Sequence, residues 1–264
     1  MNFEIISRER ACPIPLVVHV PHSSTIIPPD IRQTLCLSDH ELQHELLCMT
    51  DWYTDRLFDP VLELGGSLFV NRVSRLVVDP ERFPDDSQEV MATQGMGAVY
   101  TKTADSRALR IQMLPENRTS LLDAYFYPYA HAFAELVSQM LDQHGRCVIL
   151  DGHSFPSVPL PYELDQRTER PDICLGTDDF HTPESLVCDI QGLCAAQGLR
   201  AEQNWPFAGT YVPLEYWRAD RRVSSVMMEI RRDLYMNEQT GAETLGFDRI
   251  RELVLMVIRT LGKV

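Results

Sequence analysis

The amino-acid sequence predicts a single α/β domain with a mixed or parallel central sheet flanked by helices. Three observations predict it. Short apolar runs of strand length alternate with longer segments of helical periodicity. The 264 residues are enough for one sizeable core. No repeat, low-complexity linker or sharp shift of composition divides the chain.

Residues 14–20 (IPLVVHV), 147–150 (CVIL) and 225–230 (SVMMEI) read as buried strands, and 67–70 and 76–78 as weaker ones. Their flanks are rich in Gly, Pro, Ser or Asp, as where strands end in loops. A helix is expected from Ser38 to about Phe58, because Ser38 followed by Glu41 makes a capping box. Another is expected over 120–144, where Leu121, Leu122, Tyr125, Phe133, Leu136, Val137, Met140 and Leu141 share a face and Gly145 suits the C-cap. Two more are expected over 183–197 and 247–261. Residues 80–104 and 155–176 are long, aperiodic and contain Pro and Gly. Loops of that length inside a compact domain are usually functional.

The formal net charge is -14. Such a field repels nucleic acid, and no polybasic patch suggests a membrane surface. A small anionic substrate stays compatible, provided that its site gathers arginines locally. Residues 1–12 lack an apolar stretch of signal length, and no run approaches a membrane span. The seven cysteines are odd in number, irregularly spaced and without a C-x-x-C pair. They predict reduced thiols and a cytoplasmic location, with Cys147 as a small buried hydrophobe. The sequence specifies no oligomeric state.

The strand ends carry the candidate chemistry. The first strand runs into Pro21-His22-Ser23-Ser24, another into Asp151-Gly152-His153-Ser154, and the last carries Glu229 near its end. Ligands of open α/β sheets collect at the carboxyl ends of strands. Zinc takes neutral imidazoles and carboxylates and leaves one position for water, so His22 and His153 are the natural nitrogen donors. Alone, either would more often be a structural histidine; together, past apolar strands, they carry the metal reading further. His19, inside its strand, reads as packed. His40, His44, His131 and His144 read as helix-surface residues, and His181, in a loop, as a candidate substrate contact.

Asp51 and Asp55 lie one helical turn apart in TDWYTDRLF. One of them could reach the metal, or cap a turn or pair with Arg56. Arg72, Arg75 and Arg82 lie in NRVSRLVVDPERFPDD. Their forks could hold an acidic substrate, or join a network with Asp79, Glu81, Asp85 and Asp86. Glu229 interrupts an apolar run, where an unpaired carboxylate is costly. It either pairs with Arg231 or Arg232, or faces a catalytic water. Gly152-His153-Ser154-Phe155-Pro156 begins like a nucleophile elbow, but Pro156 stands where the elbow needs a small residue. A serine hydrolase is therefore not expected.

The ordered set VVHVPHSS, TDWYTDRLF, NRVSRLVVDPERFPDD, ILDGHS, NWPFAGTYVP and SSVMMEIRRDLY resembles the successive motifs of N-formylglutamate amidohydrolases, from about Leu16 to about Tyr235. The resemblance implies one catalytic domain over residues 1–264. It also implies a phosphorylase/hydrolase-like, zinc carboxypeptidase-like fold, with a mixed sheet between helices and the metal at the strand ends. It further implies that His22 and His153 bind one zinc ion and that Glu229 is the catalytic glutamate. Asp79-Pro80-Glu81-Arg82 is similar to the superfamily's Asp-x-Asn-Arg stretch, which implies that Arg82 binds a substrate carboxylate. Arg75 would polarise the scissile carbonyl, and Asn71, Gly209 and Tyr211 would line the substrate side.

The sequence departs from the superfamily's H-x-x-E pattern, because position 25 is Thr. The resemblance then points to TDWYTD for the acidic ligand, with Asp51 preferred to Asp55. The implied reaction is hydrolysis of N-formyl-L-glutamate to formate and L-glutamate, as in histidine degradation. A zinc hydrolase of another N-acyl amino acid or peptide end is the nearest alternative. A non-catalytic small-anion-binding protein of the same fold is another, opposed by the competence of every candidate catalytic position.

Overall fold

The computed structural model describes residues 2–8, 12–111 and 113–263. Along the chain the elements are β1 (Phe3–Ser7), β2 (Leu16–Val20), α1 (Pro29–Arg32), α2 (Asp39–Met49), α3 (Thr54–Leu57) and β3 (Ser67–Asn71). There follow α4 (Pro115–Leu121), α5 (Tyr127–His144), β4 (Cys147–Phe155), β5 (Ile173–Gly176), α6 (Glu184–Ala196), β6 (Ala201–Gln203), β7 (Val223–Arg231) and α7 (Gly246–Leu261). The seven strands form one sheet in the order β1-β3-β2-β4-β7-β5-β6. β3, β2, β4 and β7 run parallel, while β1 and β5 are antiparallel to β3 and β7. The mixed sheet between helices agrees with the class expected from the sequence.

Side-chain alternation divides the core into two faces. Leu16, Val18, Val20, Val148, Leu150, Val226, Met228 and Ile230 pack with residues of α6 and α7. Val17, Phe69, Cys147, Ile149 and Val223 pack with Phe133, Leu136, Val137 and Met140 of α5. Parity continues this second face toward the strand ends through His19, Asp151, His153 and Glu229. The register sets His19 beside Asp151 and His153 beside Glu229. Gly152 points to the opposite face, where an added Cβ would lie 2.9 Å from the Phe58 ring.

Several expected boundaries move, each for a local reason. Residues 76–78 form a turn rather than a strand. Its Leu76 and Val77 carbonyls accept from the Arg110 guanidinium instead of a neighbouring strand. The Ser38–Glu41 capping box is present, but α2 stops at Met49. Thr50 turns extended, and Tyr53 adopts a left-handed φ of 64° before α3. The expected helix over 120–144 starts at Pro115 and carries a π turn over Leu122–Phe126. Pro128, which lacks an N–H, follows that turn at the start of α5. Gly145 caps α5 with φ 73°.

β4 runs four residues beyond Asp151, to Phe155, so His153 sits inside a strand rather than past it. β1 and β6 are sheet edges that the apolar pattern does not reveal, and β5 lies within the stretch expected as a loop. Residues 1 and 9–11 of the N-terminal segment lie outside the described residues. No helix among the described residues is long and apolar enough to cross a membrane.

Candidate functional site

Three side chains from three segments meet at the C-terminal ends of β2 and β4. His22 follows β2, and its carbonyl accepts the Asp51 N–H at 3.0 Å. That bond fixes the chain where α2 breaks and turns Asp51 inward. His153 comes from β4. The two Nδ1 atoms lie 3.3 Å apart, and Asp51 Oδ2 lies 3.1 Å from His153 Nδ1 and 3.6 Å from His22 Nδ1. All three residues are buried. A tetrahedral metal with N and O bonds of about 2.0–2.2 Å holds its donors about 3.3–3.5 Å apart. Two imidazoles and a carboxylate at these separations therefore fit such an ion.

The outer ring nitrogens are held by acids. His22 Nε2 faces Asp79 Oδ1 at 2.9 Å, and His153 Nε2 faces Asp151 Oδ1 at 3.1 Å. A carboxylate only accepts, so each Nε2 donates and each Nδ1 lone pair is left toward Asp51. Outer carboxylates of this kind orient metal-binding histidines. Asp79 also accepts from Arg75 at 2.8 Å and from the Tyr100 hydroxyl at 2.5 Å. Asp151 accepts from His19 Nδ1 at 2.9 Å and from the Tyr211 N–H at 3.0 Å. His19 Nε2 faces the Tyr129 hydroxyl. Glu81 adds an oxygen 3.2 Å from His153 Nε2.

Burial opposes charge on Asp51 and on His153. Close contact with the His153 and His22 rings, together with the Arg232 charge, nonetheless holds the Asp51 carboxyl well below the usual range. The Glu81 and Asp151 charges likewise raise the His153 pKa well above that of a free imidazole. This ring of acids suits a cation.

Glu229 projects beside His153, and its Oε2 is buried without a hydrogen-bond partner. Desolvation raises its pKa to about 8, against the pull of His153. Neither adjacent arginine neutralises it. Arg231 pairs with Asp172 and Asp233, whereas Arg232 donates to Asp51 at 2.9 Å and to Ser154 Oγ at 3.1 Å. Arg82 carries a buried Nε without a partner, and its nearest acids, Asp79 and Glu89, lie at 3.7 Å.

These groups share one cavity of about 910 Å³, lined also by Arg75, Gly209 and Tyr211 and walled by both long loops. Gly209 has φ 92°. Its carbonyl passes so close to Gly176 that a Cβ there would lie 2.0 Å away.

Other expected residues stand elsewhere. Asn71 stands off the cavity wall: its amide donates to the Pro21 carbonyl at 3.0 Å and accepts the Val73 N–H, which supports the His22 turn. Asp55 pairs with Arg72, itself bound to Glu4, away from the histidines. His181 lies off the cavity wall and is buried, with Nδ1 on the Val223 carbonyl and Nε2 accepting the Arg218 N–H. Ser154 lies in β4 under Arg232, not on an elbow. Sequence pattern alone does not bring His19 or Arg232 to the site, nor does it reveal the roles of Asp79, Glu81 and Asp151. A same-face i, i+2 spacing links Asp151 to His153, the one sequence signal that could have exposed it.

The N-formylglutamate amidohydrolase family model matches residues 14–236. An N-formylglutamate deformylase of Pseudomonas aeruginosa is 30% identical over 241 residues, covering 89% of this chain and 87% of that protein. One from Pseudomonas putida is 26% identical, covering 85% and 83%. The crystal structure of N-formylglutamate amidohydrolase from Ralstonia eutropha JMP134 superposes with a TM-score of 0.85 at 24% identity, covering 99% and 97%, which shows the shared fold. The chain is a hydrolytic enzyme and belongs to the N-formylglutamate amidohydrolase family.

Proposed function

We propose that the protein uses one zinc ion to hydrolyse N-formyl-L-glutamate to formate and L-glutamate. The observation that carries this reading is the triangle of His22, Asp51 and His153 donors beside the unpartnered carboxyl of Glu229. The names of the Pseudomonas relatives support the substrate. Bound by the three donors, zinc would polarise the formyl oxygen and lower the pKa of a water toward neutrality.

The chain's own groups do the rest. Glu229 takes a proton from the water as its oxygen attacks the formyl carbon. It returns the proton to the amine nitrogen as the C–N bond breaks. A carboxyl group with a pKa near the working pH can do both. Arg75, fixed by Asp79 and Tyr100, sets positive charge near the developing oxyanion. Arg82 offers its free Nε to a substrate carboxylate, which holds the amide in place. Gly209 and Tyr211 form the substrate-side wall. We assign residues 1–264 to one catalytic domain and place the reaction in the cytoplasm, in histidine degradation. Support comes from the substrate and from the cysteine pattern.

The test is formate release from N-formyl-L-glutamate by purified protein, with bound metal measured by mass spectrometry. One zinc per chain is expected, with activity lost on chelation and regained with zinc. Zinc-replete protein that releases no formate would overturn the proposal.

A further inference from the structure

The polar floor of the cavity suffices for a short acidic substrate, but its mouth is built differently. Val90, Tyr127, Leu164, Leu214 and Trp217 all line the cavity while remaining exposed, from 39% for Tyr127 to 69% for Val90 and Leu164. They supply five of the eleven large hydrophobic side chains exposed among the described residues. They come from four separate parts of the chain: the two long loops, the start of α5 and the segment after Tyr211. Single exposed apolar residues need no explanation, whereas a ring of them around one opening marks a binding surface. Phe83 backs Trp217 edge-on at 5.9 Å and holds the indole at the rim.

Volume and charge agree with this reading. A cavity of about 910 Å³ approaches the upper end of the roughly 300–1,000 Å³ that drug-sized ligands fill, far more than N-formyl-L-glutamate needs. Of the guanidiniums on the wall, Arg75 and Arg232 are bound to Asp79 and Asp51. Arg82 alone among these three keeps a buried donor free. A substrate carboxylate is thus met by Arg82, while the rest of the wall mixes the acids Glu163, Asp165, Asp178 and Glu215 with the apolar side chains of the mouth.

We propose that the rim is a second subsite. The enzyme takes N-acylated amino acids that carry a carboxylate for Arg82 and, in addition, an apolar group of leucine or phenylalanine size beyond the scissile amide. This rests on the reading of the floor as an amide-hydrolysing site.

The test compares N-formyl-L-glutamate with N-formyl-L-phenylalanine, extended on the amino-acid side, and N-phenylacetyl-L-glutamate, extended on the acyl side. kcat/KM is measured on the zinc-loaded protein and affinity by calorimetry on the zinc-loaded Glu229→Gln protein. Partial burial of a phenyl group predicts about a tenfold preference for at least one extended ligand. Trp217→Ala and Leu164→Ser, both at exposed positions, should remove most of that preference. A preference for N-formyl-L-glutamate over both extended ligands would overturn the proposal. So would rim variants that reduce all three substrates equally, since the rim would then be a cover for a short substrate. Extended ligands that bind with Trp217 dependence but are not cleaved would uphold the subsite and overturn the hydrolytic reading. Absence of binding by all three would overturn both.

Discussion

Glu229 keeps a buried oxygen without a partner while both neighbouring arginines bind other acids. An isolated buried carboxylate is unfavourable, so nothing in the packing itself calls for it. Glu229→Gln should therefore fold and hold zinc as the wild type does, with turnover reduced about 10²–10⁴-fold. Formate release and metal analysis check this, and near-wild-type turnover would remove Glu229 from the mechanism. Asp51 has the opposite character: it joins both histidines and Arg232. Asp51→Ala should lose most bound zinc. It should also lose about 3–5 kcal/mol of stability, because Arg232 would be left buried without its acid. Asp55→Ala removes only the half-exposed pair with Arg72 and should retain full zinc content. If Asp55→Ala empties the site instead, the ligand assignment is reversed.

At the scale of elements, the close pass of the Gly209 loop over β5 depends on a missing side chain. In Gly176→Ala the new Cβ would lie 2.0 Å from the Gly209 carbonyl and 2.4 Å from Met227 Cε, so the loop carrying Gly209 and Tyr211 must shift. We expect stability to fall by about 1–3 kcal/mol. kcat/KM should fall by roughly tenfold or more, because small misplacement of the substrate wall is enough. Zinc content should stay unchanged, and a loss of zinc would show that the strain reaches the metal ligands. Elsewhere α2 anchors the end of the first long loop, where Glu45 accepts the Ala104 N–H at 2.7 Å. Burial raises the Glu45 pKa to about 7. The folded protein then holds a proton that the unfolded chain releases near pH 4.5, so this group lowers stability as pH rises from about 4.5 to about 7. Glu45→Gln should gain on the wild type across that window, by up to roughly 3 kcal/mol. Denaturant melts at pH 5 and pH 8 measure the gain, and a constant difference would refute it.

Over the whole molecule, the two histidines and Asp51 lie far apart in sequence and close only when β2, α2 and β4 are in place, so the zinc ion proposed for them would bind the folded chain alone. Zinc at about a thousandfold above its Kd should add about 4 kcal/mol, or roughly 10 °C in Tm. Chelation without a change in Tm would contradict the site. The sequence by itself determined the α/β class, the apolar core strands, the α2 capping box and the α5 terminus, because each is written in local periodicity or turn chemistry. It also placed His22, His153 and Glu229 near strand ends, since polar residues stand out against apolar runs. The tertiary structure alone decided that Asp51 rather than Asp55 faces the histidines. The Thr50–Tyr53 break rotates two residues that a continuous helix would have kept on one face. It alone gave Asn71 and His181 to backbone carbonyls, and Asp79 and Asp151 to the outer nitrogens of the histidines. The edge strands β1 and β6 escaped for the same reason: their pairing depends on residues distant in sequence, and local pattern carries no record of such partners.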